Sequence, residues 1–145
     1  MKTGPKGKDV MKKAILALLL IFGLSATASA NEQLISEGVV VQANGDRADF
    51  KRALMLASNM HEVLAKAKFE VVVYGANVKL LTAFSDEAPF IQKVLDEGIK
   101  VIACGRSLKS EHLDENDLAP GVTVVPNGAV HIVNRQKQGW QYIKE

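Results

Sequence analysis

The sequence lacks a second cysteine, a marked surplus of either charge, and any apolar run long enough to cross a membrane. With Cys104 alone, no intramolecular disulfide can staple the fold, and stability must come from a hydrophobic core. The formal net charge of +2 is unevenly placed. Lys2, Lys6, Lys8, Lys12 and Lys13 face only Asp9 within residues 1–30, so the rest of the chain is slightly acidic. A near-neutral domain with 6% aromatic residues offers no electrostatic footprint for nucleic acid. No HExxH, CxxC or close His-x-His grouping occurs, so no metal site is expected. The P-loop, the GxGxxG turn and the GxSxG elbow are also missing, which leaves nucleotide binding and serine hydrolysis without an anchor.

What is present begins with a three-part leader. Lys12 and Lys13 precede the apolar stretch Ala14 to Leu24, and Ser25 to Ala30 closes on the small-residue pattern Ala28-Ser29-Ala30. This is the layout of a signal peptide cleaved after Ala30, with Met1 or Met11 as initiator. The apolar stretch would reach about 16 Å as a helix, roughly half the hydrocarbon thickness, so no stable membrane anchor is expected. A periplasmic or secreted protein follows, with residues 31–145 as one domain of a size that supports a single core.

Within that domain, short β-branched runs alternate with helical patterns. Gly38 to Ala43, Phe69 to Tyr74, Ile99 to Ala103 and Val122 to Val125 read as strands, with a weaker fifth at Gln141 to Ile143. Phe50, Ala53, Leu54, Ala57, Met60, Leu64 and Ala67 fall at helical spacing, predicting one helix from Asp46 to Lys68 with Asp46 as its cap. Further helices are predicted from about Glu87 to Glu97, capped by Asp86 and ended by Gly98, and from about Asn127 to Gln138, ended by Gly139. Strands alternating with helices imply an α/β fold with a mainly parallel sheet covered on both sides.

Ligands of such sheets gather outside the carboxyl ends of the strands. Those ends carry Asn44-Gly45, Gly75-Ala76-Asn77, Cys104-Gly105-Arg106-Ser107 and Asn127-Gly128. Asn44, Gly75 and Asn77 are therefore candidate binding residues, although Gly and Asn are also ordinary turn formers. Cys104 is more specific. A short helix starting at Gly105 would aim amide hydrogens at its sulfur, and Arg106 and Lys109 add positive charge, all favouring the nucleophilic thiolate. Free cysteine is also among the most buried residue types, so a purely packed thiol stays open as the alternative. His61 lies at the edge of the apolar face of the long helix, as a structural histidine would. His112 lies in a polar loop from which it could approach the thiol as a base.

The segments VVVYGANVKLL (71–81), GIKVIACGRSL (98–108) and PGVTVVPNGAVHIVNRQKQGWQYIK (120–144) resemble the DsrE/DsrF-like family, in particular its small single-domain branch. The lone Cys104-Gly105, the passage Pro120 to Gly128 and the closing Gly139-Trp140-x-Tyr142-Ile143-Lys144 carry the likeness. The resemblance implies a three-layer α/β/α domain with a central, largely parallel five-stranded sheet, commonly assembled into homo- or hetero-oligomers, and a homo-oligomer is expected here. It also implies that Cys104 would carry sulfane sulfur as a persulfide, passed between thiol or persulfide partner proteins. The Gly105 and Arg106 amides would steady the anion, with Ser107 beside them, and neither metal nor organic cofactor would be needed. Relay members of the family work in the cytoplasm, whereas this chain carries an export signal. The alternative is a noncatalytic binding or assembly module whose cysteine is structural.

Overall fold

A computed structural model describes residues 37–144, so the expected leader and its cleavage point lie outside the described residues. Five strands form one sheet: β1 (Val39–Ala43), β2 (Phe69–Val73), β3 (Lys100–Cys104), β4 (Thr123–Val125) and β5 (Gln141–Lys144). Their order is β4-β3-β2-β1-β5, and every pairing is parallel. The nearly continuous valine runs of β1 and β2 fit this position, since both faces of a central parallel strand are buried.

Helix α1 (Arg47–Val63) starts at a reciprocal capping box. The Asp46 side chain accepts from the Asp49 amide at 2.8 Å, and the Asp49 carboxylate accepts from the Asp46 amide at 3.0 Å. The helix stops at Leu64 rather than running to Lys68. The chain must turn there to pair Phe69 with Val39, a turn fastened by the Val39 amide on the Lys68 carbonyl at 2.8 Å. His61 stacks on Phe69 with ring centroids 5.5 Å apart, the structural part expected of it.

Helix α2 (Ala88–Asp96) has Pro89 in its first turn and ends at Gly98, whose φ of +87° lies in the left-handed region. Its cap is Glu87, not Asp86; the Glu87 side chain makes no capping bond, while Ser85 Oγ accepts from the Glu87 amide at 3.1 Å. Asp86 is drawn instead into an ion pair with Arg47 at 3.4 Å, an electrostatic contact that wins over local capping. Helix α3 (Gly105–Ser110) follows β3 directly, and α4 (Gly128–Lys137) follows β4. Residues Gly75–Leu81, to which the sequence pattern assigns no element, form a 3-10 helix.

The helices divide between the two faces for a topological reason. From β1 to β4 the chain steps across the sheet in one direction, and right-handed crossovers put α1, α2 and α3 on one face. Phe50 and Leu54 of α1, Ile91 and Val94 of α2 and Leu108 of α3 pack there against Val41, Val71 and Val101. The return from β4 to β5 runs the other way, which sends α4 to the opposite face. There Ile132 and Trp140 meet Val40, Val72 and Ile102. The result is a three-layer α/β/α fold, and the two helices following β3 and β4 start on opposite sides of the sheet. Adjacent strands with that property open a crevice at their carboxyl ends.

Candidate functional site

Cys104 occupies that crevice. It is the last residue of β3 and the residue from which α3 departs, paired in register with Val125 at the end of β4. Side chains alternate along a strand, so Cys104 shares the α4 face with Ile102 while Ala103 faces α1 and α2. The sulfur thus looks toward the amino end of α4. Gly128 opens that helix and approaches so closely that a Cβ placed on it would stand 3.2 Å from the Cys104 Cβ and 3.1 Å from Val72 Cγ1. Only glycine fits there without a shift of its neighbours.

Two helix starts therefore converge on one sulfur. Burial pushes the Cys104 thiol up, but the Gly128 amide, the Ser107 hydroxyl, and the Ser107 and Arg106 amides together hold it below the ordinary thiol range. The Ser107 hydroxyl has a defined orientation. Its oxygen accepts from the Gly75 amide at 2.9 Å, which leaves its hydrogen for the sulfur. Tyr74 borders the same spot, 3.4 Å from where a Gly128 Cβ would lie. Its phenol is pushed up by burial and by the neighbouring Tyr142 and Cys104.

Several expectations change in detail. Cys104 is 4% exposed, much deeper than a thiol presented at the surface. It is the Arg106 amide that acts on the sulfur, while the side chain lies in solvent. The Gly105 amide is not among the groups that hold the sulfur down; Gly105 packs under β4, where a Cβ would meet the Val125 carbonyl at 3.2 Å. Asn44 sits two strands away, roughly 10 Å across the sheet, and accepts from Gln42 Nε2 at 2.6 Å. Asn77 is buried and donates to the Asp46 carbonyl at 3.3 Å, bracing the start of α1 rather than facing the crevice. His112 is exposed at the far end of α3, with a left-handed φ of 56°, and brings no base to the thiol.

Of the expected residues, Ser107 and the Arg106 amide act on the sulfur directly, and Gly75 joins them only through the Ser107 hydroxyl. The missed contributor is Gly128. Its signal was Asn127, a natural cap whose side chain accepts from the Ala129 and Val130 amides at 3.1 and 3.3 Å. Among the described residues, no group of three or more His, Cys, Asp or Glu side chains could hold a metal ion. No helix among them is long and apolar enough to cross a membrane.

The sheet, the lone cysteine after β3 and the glycine-opened α4 coincide with a family model, DsrE/DsrF-like, that matches residues 27–144. The chain belongs to the DsrE/DsrF-like family. This family is usually linked to sulfur relay. Among solved structures, the protein of unknown function MTH1491 from Methanobacterium thermoautotrophicum is 31% identical, with a TM-score of 0.64, over 75% of this chain and 98% of that one. The ychN protein from E. coli shares the fold at 13% identity and a TM-score of 0.66, covering 75% of this chain and 99% of its own. BT1422 from Bacteroides thetaiotaomicron, also of unknown function, matches at 21% identity and a TM-score of 0.62, over 81% and 98%. No curated protein matches the chain. The DsrE/DsrF-like match begins upstream of the described residues and takes in all five strands.

Proposed function

We propose that this DsrE/DsrF-like domain carries sulfane sulfur as a persulfide on Cys104. The observation that carries the reading is the convergence of three amides and one hydroxyl on a single sulfur at the carboxyl end of β3. Such a set stabilises an anion, and the thiolate is the form that attacks. In the first step the Cys104 thiolate attacks the outer sulfur of a donor persulfide. A new sulfur–sulfur bond forms on Cys104, the donor's own bond breaks, and the donor leaves as a thiolate. In the second step an acceptor thiolate attacks the outer sulfur, takes it as its own persulfide and returns Cys104 as the thiolate. No electrons are gained or lost overall, so neither oxidant nor reductant is needed.

Depth shapes how donors gain access. The outer sulfur of a persulfide extends about 2 Å beyond the first. A depression of about 360 Å³ lies beside the start of α3, lined by Gly105, Arg106, Lys109, Glu115, Val124 and Pro126; Val124 packs with the α1 and α2 face, so this hollow is across the sheet from the sulfur. The same reading places the protein outside the cytoplasm, on the strength of the leader. Sequencing of the protein recovered from the periplasmic or culture fraction should begin at Asn31.

Mass spectrometry of the folded protein after polysulfide treatment should show one added sulfur atom, absent in Cys104→Ser. If the parent takes up none while remaining folded, the reading is wrong. The 4% exposure of Cys104 favours a second reading, a structural thiol in a noncatalytic assembly module. In that case the thiol resists alkylation until denaturant is added, and polysulfide leaves the folded chain unmodified.

A further inference from the structure

Glu70 lies on β2, on the same face as Tyr74, and is 1% exposed. A carboxylate this deep is strongly disfavoured unless it is paired and hydrogen-bonded. Both partners come from α4. Arg135 donates through Nε to Glu70 Oε2 at 2.8 Å and through Nη2 to Oε1 at 2.6 Å, a fork that grips both oxygens. His131 Nε2 lies 2.8 Å from Oε2. Burial pushes the Glu70 carboxyl up, but the hydrogen bonds from Arg135 and His131 outweigh it and hold it below the usual carboxylate range. The ionised group can only accept, so His131 Nε2 carries the hydrogen. The guanidinium is itself held, with Arg135 Cζ 4.5 Å from the Trp140 ring centroid and Nη1 on Gln138 Oε1 at 2.9 Å.

These contacts fall on the face of α4 that also bears Gly128. Arg135 follows Gly128 by seven residues, two turns of helix and about 10 Å of rise. Gly128 rests against Val72 and Tyr74 of the β2 segment, while Arg135 meets Glu70 upstream, so α4 runs antiparallel to β2. Between them Ile132 contributes apolar packing, which is non-directional and tolerates sliding. A forked ion pair does not tolerate it.

We propose that Glu70 is a positioning residue for Cys104: its pairing with Arg135 and His131 sets α4 along β2 so that the Gly128 amide stays on the sulfur. The proposal rests on the persulfide reading only in giving the thiolate a task. Electrostatics at a distance makes the opposite forecast. Removing the Glu70 charge and leaving Arg135 unpaired would favour the thiolate, whereas loss of positioning disfavours it.

The deciding experiment follows the ultraviolet absorbance of the Cys104 thiolate against pH in the folded protein, with Cys104→Ser as the blank. Two variants are compared, Glu70→Gln and Arg135→Lys; the second keeps both charges and removes only the fork. At fixed pH the thiolate-to-thiol ratio should fall about tenfold in Glu70→Gln, the loss of one hydrogen bond to a charged group, and about threefold in Arg135→Lys. If folded Arg135→Lys titrates with the parent, or Glu70→Gln becomes more acidic, the proposal is overturned. Should Glu70→Gln fail to fold, Arg135→Lys decides alone, since Arg135 is partly exposed and tolerates the change. Polysulfide loading is measured in parallel. A shifted titration with no loading keeps the positioning role and discards sulfur transfer.

Discussion

At the scale of single residues, a few hydrogens aimed at one atom set the acidity of the Cys104 thiol. Ser107 is the most separable of them, because its hydroxyl both accepts from Gly75 and donates to the sulfur. A donor to the anion lowers the pKa of the thiol, so its removal shifts the titration upward and depletes the thiolate at neutral pH. Ser107→Ala should therefore slow alkylation of native Cys104 several-fold at neutral pH, with the difference vanishing once both proteins are fully ionised. A pH series of alkylation rates checks this, and identical curves would remove Ser107 from the site. Cys104 and the start of α3 were legible in the sequence because a cysteine ending an apolar run and followed by Gly-Arg-Ser is a local pattern. Gly128 was not, because its link to Cys104 spans from one strand's end to the next helix. No local pattern reports how closely two such segments approach.

At the scale of elements, capping residues predicted helix starts better than apolar spacing predicted helix ends. Asp46 and Asp49 form the box their spacing foretold, and Asn127 caps α4 as its type suggests. Asp46→Ala should cost about 1 kcal/mol of unfolding free energy, read from denaturant midpoints at unchanged slope. A cost near zero would mean that α1 is held by Phe50 and Leu54 alone. The predicted run of α1 to Lys68 continued an apolar period through Leu64 and Ala67, which in fact pack against the core from a turn. Spacing cannot tell a helical residue from one that returns to the same core by another path. The 3-10 helix Gly75–Leu81 escaped notice for a related reason, since seven residues opened by glycine show no amphipathic period.

At the scale of the whole molecule, alternation of strands and helices made the layered fold legible, but not the order of strands or the division of helices between faces. That division leaves α4 as the only helix among the described residues on its face of a five-stranded sheet. Trp140 closes the core beneath Arg135, whereas Val130, Val133 and Tyr142 remain 53, 49 and 38% exposed along α4 and β5. Apolar side chains left open beside a thinly covered face suit a second copy of the chain. Light scattering should give a solution mass that is a multiple of the single chain, falling toward one chain in a Val130→Lys, Val133→Lys pair; a monomeric parent would exclude the assembly. The recessed sulfur bears on what two copies, if they meet, could do to each other. A disulfide requires the two Cα atoms to come within about 7 Å of each other. Two folded copies, each with its cysteine sunk below Tyr74 and Gly128, cannot meet that condition, so oxidants should not weld the protein into covalent dimers. If Cys104 does take up sulfane sulfur, the same depth would confine its donors to species as slender as a chain of sulfur atoms, while keeping two sulfurs of the folded protein apart.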